Sequence, residues 1–162
     1  EDPWPSLSGS ELQVMLDGEP YGPLPGLDAA RQKALFAAVL EMAAGRMLSS
    51  AHDVSEGGLA ACLAESCIAG GLGADVELRL PGPVVPSLYG EPAGVILVST
   101  PPERASDVIR TAEAHGVMAV EMGEVGGPDI IVRGEGAELL RVAVAQASEA
   151  WESAIPAAMD TM

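Results

Sequence analysis

Ser50-Ala51-His52-Asp53-Val54-Ser55-Glu56-Gly57-Gly58-Leu59 places two carboxylates, two hydroxyls and an imidazole in one short turn. Upstream, Ser50 to Val54 reads as a short extended run. Downstream, Glu56-Gly57-Gly58 opens a helix that runs to about Ala69, where Gly70-Gly71 stops it. The first backbone N–H groups of a helix have no partner inside it, and the helix dipole favours an anion there. Glycine lets a phosphate come close to such a backbone. Asp53 could hold Mg²⁺, a hard ion that takes one or two carboxylates and completes its shell with phosphate oxygens. A plainer reading stands beside this one: Asp53 or Ser55 caps the helix, and the glycines serve tight packing.

Working outward, residues 1–27 form a lead-in. Leu12 to Leu16 is a strand candidate ended by Asp17-Gly18, and a loop rich in Pro and Gly follows. Asp28 fits the N-cap of a helix reaching about Leu48, with Leu35, Phe36, Val39, Met42, Ala43 and Met47 at helical spacing. Asp75 to Leu80 alternates like a half-buried strand. Pro81 to Pro92 reads as a turn-rich connection. Gly94 to Ser99 is a continuous apolar run, expected to be a central strand covered on both faces. Pro101-Pro102-Glu103 starts a helix to about His115. Val117 to Glu124 and Asp129 to Arg133 are strand candidates, and Leu139 to Val144 fits either strand or helix. Ala147, Trp151, Ile155 and Met159 mark a closing helix that Pro156 should kink or restart. Strands and helices alternate, so the fold class is mixed α/β (α+β), a layered domain with a mixed β-sheet packed by helices. Residues 28–162 are expected to form a single domain.

Composition sets the bounds. The chain has 162 residues, enough for one domain that buries about 68–70% of its unfolded surface. Its formal net charge is −16, which argues against nucleic acid and anionic membranes as partners. Cys62 and Cys67, five residues apart on one helix, point about 140° apart and cannot bridge. They read as buried hydrophobes of a reducing cytoplasm. The start carries no signal peptide and no initiator Met, so the chain reads as a piece of a longer protein. Other motif readings fail. Asp53 stands where a nucleophile elbow needs Gly, no Walker pattern is present, and Gly71-Leu72-Gly73 lacks a completing glycine. His52 and His115 have no zinc-ligand spacing. His115 reads as a partner of a helix C-terminus, and Trp4 and Trp151 as packing anchors.

The run from Ser50 to Ala60, followed by Ala64-Glu65 and Gly70-Gly71-Leu72-Gly73-Ala74, resembles phosphoribosylformylglycinamidine synthase, and specifically its last domain. Ser8-Gly9-Ser10-Glu11, Gly94 to Ser99 with Pro101-Pro102-Glu103, Gly123 to Gly127, and Glu149-Ala150-Trp151-Glu152 follow the family's order. Ser8 replaces a usual Gly, and Tyr89-Gly90-Glu91-Pro92 replaces a Phe-Ser-Glu segment. The resemblance implies an aminoimidazole ribonucleotide synthetase-like C-terminal domain of an ATP-dependent ligase. That ligase converts formylglycinamide ribonucleotide and glutamine-derived ammonia to formylglycinamidine ribonucleotide, with ATP/ADP and Mg²⁺ as cofactors. The implied partners are the N-terminal domains, a glutaminase subunit, a small third subunit and the ribonucleotide substrate. The family's catalytic His lies in domains absent from this chain, so no residue here is assigned to catalysis. His52, Asp53, Ser55, Glu56, Gly57 and Gly58 would bind nucleotide or phosphate. By pseudo-symmetry with the paired domain, Asp53 would hold Mg²⁺ at a second, non-catalytic site.

Two other readings remain: a self-sufficient small phosphotransferase, and a non-catalytic interaction domain. One Lys and seven Arg, none within residues 47–78, disfavour the first. A domain built to pack against others exposes apolar surface when alone. The isolated chain should therefore self-associate as a homodimer, and a strict monomer in sedimentation at tens of micromolar would refute this.

Overall fold

Ser10 opens the first element as an N-cap: its Oγ accepts the Gln13 N–H, and Gly18 closes the helix in the left-handed conformation at φ 84°. The computed structural model describes residues 6–24, 26–80 and 82–160. Trp4, the other lead-in residues up to Pro5, and Pro81 lie outside them. Residues Glu11–Asp17 form α1, not the strand expected over Leu12 to Leu16. The caps at both ends decide this. So does Gln13, which is buried and accepts the N–H groups of Gly9 and Tyr21 at 2.9 and 3.0 Å.

Asp28 caps α2 (Ala29–Ala44) as expected, its Oδ1 accepting from Ala30 and Arg31. The helix ends before Leu48. Arg46 turns left-handed at φ 52°, Met47 N–H reaches back to the Met42 carbonyl, and Arg46 N–H reaches Ala43, the double bond of a Schellman stop. Ser50–Asp53 is β1. Next come α3 (Gly58–Gly70) and β2 (Ala74–Leu78). Val84–Tyr89 forms α4 inside the stretch expected to be turns. Pro86 is tolerated there because it falls in the first turn, where its missing N–H has no helical partner to lose. Ile96–Ser99 is β3. A 3₁₀ turn at Pro102–Arg104 leads into α5 (Ala105–Ala114). Then follow β4 (Gly123–Val125), β5 (Asp129–Gly134), β6 (Ala137–Ala143) and α6 (Val144–Asp160). The strand expected from Val117 is confined to its end, and the ambiguous Leu139 to Val144 stretch is mostly strand.

The chain divides into two compact units. The described residues of Glu1–Cys62 and Pro81–Glu121 make the first; those of Leu63–Leu80 and Met122–Met162 make the second. In the first, β1 and β3 pair antiparallel, Asp53 opposite Ile96 and Ser50 opposite Ser99. Among the described residues β3 pairs with β1 alone and is half-buried throughout, so it is not the central, doubly covered strand expected. An apolar run marks a strand but does not name its neighbours. The core of this unit joins Ala38 and Met42 of α2 to Val108 and Ala112 of α5. Phe36, expected on the buried face, is 55% exposed. His115 follows α5 and pairs with Glu41 of α2 at 2.7 Å.

The second unit holds a mixed sheet in the order β4-β2-β5-β6, with β2 and β5 parallel and the other pairs antiparallel. Ala74, Val76, Ile130 and Val132 are buried at alternate positions, as a half-covered sheet requires. Glu135 and Gly136, both at positive φ, form the two-residue turn between β5 and β6. Pro156 lies inside α6 and does not restart it. Residues 149–159 are all exposed, so water can reach the carbonyl that the proline leaves unpaired. Trp151, Ile155 and Met159 share this exposure, and Trp151 is no packing anchor within the described residues. No helix among the described residues is long and apolar enough to cross a membrane.

On the sheet surface Arg133 grips Asp75 with two hydrogen bonds of 2.9 and 2.8 Å. These bonds hold the Asp75 carboxyl below the usual carboxylate range, helped by the charges of Arg133 and Arg141 against a smaller opposing effect of desolvation. A depressed folded-state pKa stabilises above the unfolded value of about 3.9 and is lost as pH falls through the folded value. The difference in urea midpoint between wild type and Asp75→Asn should therefore be present near neutral pH and shrink below about pH 4. A gap that stays constant into acid would refute this.

Candidate functional site

The turn between β1 and α3 is held from several directions. Val54, the first residue past β1, is buried and donates its N–H to the Val95 carbonyl at 3.0 Å, extending the β1–β3 pairing by one step. Gly58 N–H closes a tight turn onto the Ser55 carbonyl at 2.9 Å. Gly57 and Gly58 both adopt positive φ, 77° and 69°, where other residues are strained. Gly58 also needs the absence of a Cβ. Such an atom would lie 2.7 Å from the carbonyl oxygens of Leu88 and Gly90 and 2.8 Å from the Tyr89 carbonyl carbon. Gly58 therefore serves tight packing, as the plainer reading of the sequence expects.

Asp53 ends β1 with its side chain 74% exposed. His52 is half-buried; its Nδ1 lies 2.8 Å from the Asp53 carbonyl oxygen and 3.9 Å from Asp53 Oδ1. Ser55 and Glu56 are exposed. The structure gathers Asp53, Ser55 and Glu56 along an open groove of about 530 Å³, whose other lining residues include Gln32, Phe36 and Glu91. His52, Gly57 and Gly58 belong to the same turn but do not line the groove.

Glu91 was not singled out as a site residue by sequence reasoning, which noted its segment only as a departure in a loop. Its Oε1 accepts the Gly57 N–H at 2.8 Å and the Glu11 N–H at 2.9 Å. A carboxylate thus engages one of the amides expected to meet a phosphate. The only sequence signal was an acid between Gly90 and the buried Pro92.

Among the described residues no Lys or Arg lines the groove, while Asp53, Glu56 and Glu91 do. A bare phosphate meets repulsion there, so an anionic ligand needs a cation with it. Among the described residues no three His, Cys, Asp or Glu converge to hold a metal. Asp53 fits Mg²⁺ only as one carboxylate in a shell otherwise built from phosphate oxygens and water.

Comparison with known proteins places these features. The family described as AIR synthase related protein, C-terminal domain, matches residues 10–134. The phosphoribosylformylglycinamidine synthase subunit PurL of Moorella thermoacetica is 38% identical over 156 residues, 96% of this chain and 21% of its own length. Among solved structures, T. maritima PurL complexed with ADP superposes with a TM-score of 0.69 at 27% identity, over 76% of this chain and 22% of that one. T. maritima PurL complexed with ATP gives 0.66 at 26%, over 72% and 21%. The chain spans about a fifth of the length of the relatives it matches. The resemblance carried by the His52 to Gly58 run is borne out.

Gly71 offers a control for the turn glycine: it also has positive φ, at 65°, but a Cβ there would meet nothing within 4 Å. Gly71→Ala should cost about 1–2 kcal/mol, the strain of a left-handed residue alone. Gly58→Ala should cost more, because backbone must move as well. Equal urea midpoints for the two variants would refute the close approach.

Proposed function

We propose that this chain, which belongs to the AIR synthase related protein C-terminal domain family, forms the C-terminal domain of a phosphoribosylformylglycinamidine synthase. The observation that carries the reading is the β1–α3 turn, which presents Asp53, Ser55 and Glu56 to one groove within the matched residues. In the parent reaction the γ-phosphoryl group of ATP passes to the amide oxygen of formylglycinamide ribonucleotide. Ammonia then attacks the activated carbon, and phosphate leaves with that oxygen. The products are formylglycinamidine ribonucleotide, ADP and phosphate. No residue of this chain is assigned to those bond changes.

Its contribution is to bind and orient. Asp53 supplies a carboxylate at the groove mouth, and Mg²⁺ bound there would offset the charge of nucleotide phosphates. His52, through its contact with the Asp53 backbone, steadies the end of β1. Ser55, Glu56, Gly57 and Gly58 complete the turn. ATP and ADP are the nucleotides proposed, at a site distinct from the bond-making centre. The proposed setting is a cytoplasmic assembly of this domain with N-terminal synthetase domains, a glutaminase subunit and a small third subunit.

Exposed apolar side chains support the packing role. Leu27, Phe36 and Leu40 line an open apolar groove beside α2, and Trp151, Ile155 and Met159 form a stripe on α6. These are faces that a larger assembly would cover.

Calorimetric titration of Mg-ADP and Mg-ATP into the chain, with turnover followed on the same samples, tests the proposal. Binding without turnover is expected, and EDTA should abolish it. Asp53→Ala should weaken binding about tenfold, equivalent to ~1.4 kcal/mol. Because Asp53 is exposed, its loss should move stability by no more than about 0.5 kcal/mol. ATP turnover by the isolated chain would replace this reading with that of a self-sufficient phosphotransferase. Unchanged affinity in Asp53→Ala would remove Asp53 from the site.

A further inference from the structure

Glu91 contacts two segments far from it in sequence. Its Oε1 accepts the Gly57 N–H across 34 positions and the Glu11 N–H across 80. Glu11 is the first residue of α1, so its N–H is one of the helix's unpaired donors, and an acid at that end meets the favourable pole of the dipole. Gly57 lies immediately before α3. One oxygen atom therefore ties the start of α1 to the candidate turn.

A second and independent contact fixes the same turn. The backbone of Leu88, Tyr89 and Gly90 occupies the space that a Cβ on Gly58 would fill. That backbone ends α4, which is anchored in turn: Ser87 is buried and its Oγ donates to the Pro83 carbonyl at 2.9 Å, and Gly90 N–H donates to the Pro86 carbonyl. Leu88 and Pro92 are buried on either side of Gly90-Glu91. The segment from α4 to Pro92 thus touches the turn twice, sterically at Gly58 and through a charged acceptor at Gly57.

We infer that Glu91 is the positioning residue of the candidate turn, and that its carboxylate couples the conformation of the Asp53 to Gly58 loop to the first turn of α1. Glu91 meets no nucleotide atom in this role. It sets where the Gly57 amide points, and through the covalent chain where Ser55 and Glu56 stand in the groove. A shift of Gly57 away from Glu91 changes the partner that Glu11 N–H shares. The nucleotide consequence rests on the function proposed above; the coupling of the two amides does not.

Asp53 and Glu56 line the same groove, Glu11 is the first residue of α1, and among the described residues no Lys or Arg lines the groove. Amide hydrogen exchange of Gly57 and Glu11 should be followed by NMR at neutral pH. In Glu91→Gln, which keeps an oxygen acceptor and loses the charge, both amides should keep their protection to within about threefold. In Glu91→Ala both amides should exchange at least about tenfold faster with solvent. The Ala38 and Met42 amides of the α2 core should keep their protection.

Mg-ADP affinity, measured on the same proteins, should fall about tenfold in Glu91→Ala and return to within about threefold of wild type in Glu91→Gln. Faster exchange at only one of the two amides in Glu91→Ala, or at neither, would overturn the assignment. So would Mg-ADP binding that is equally tight in Glu91→Ala. If the wild type binds no Mg-ADP while both amides lose protection together in Glu91→Ala, the nucleotide reading falls and the coupling stands.

Discussion

A close backbone approach that only glycine permits organises the candidate site. Where Gly58 passes the end of α4, the carbonyls of Leu88 and Gly90 stand in the place of a side chain. The approach brings Glu91 within hydrogen-bond reach of Gly57. With that contact made, Gly57 and Gly58 are both held against the segment from α4 to Pro92, and Asp53, Ser55 and Glu56 line one groove. A hydrogen bond to a charged acceptor contributes more than a neutral one, about 1.5–3 kcal/mol, so a single carboxylate can hold such a turn.

Electrostatics then limits what the turn can take. The chain carries −16 overall, and among the described residues the groove beside the turn is lined by acids and by no Lys or Arg. Helix N-termini attract anions, but here a built-in carboxylate already engages Gly57. Two physical tendencies oppose each other: the backbone favours negative charge, and the side chains repel it. A cation resolves the conflict, so an anionic ligand suits this groove only together with a cation.

Much of the fold was legible along the chain. Asp28 as an N-cap, the Gly70-Gly71 stop, the alternation from Asp75 and the helix after Pro101-Pro102 all appear near their expected places. Each is a signal contained within a few residues. The errors share a different cause. Leu12 to Leu16 looked like a strand because its apolar content outweighed the caps at Ser10 and Gly18. The helix Val84–Tyr89 was hidden by its prolines, which disrupt a helix interior but are harmless in a first turn. The apolar run at β3 carried the expectation of a central strand, yet burial on both faces depends on neighbours that the run itself does not specify.

The candidate site divides the same way. By itself, the sequence determined that a strand-to-helix turn with acids, a histidine and two glycines would stand between residues 50 and 59, because turn chemistry and capping act between neighbours. It also determined the acidic surroundings, since charge is a matter of composition. Only the tertiary structure decided that Gly58 serves a close approach to α4, that His52 stays out of the groove while Asp53, Ser55 and Glu56 line it, and that Glu91 touches the candidate turn. The physical reason is distance along the chain. A carboxylate that joins amides 34 and 80 positions away leaves no periodicity in the sequence, and the three groups meet only after the chain has closed around them.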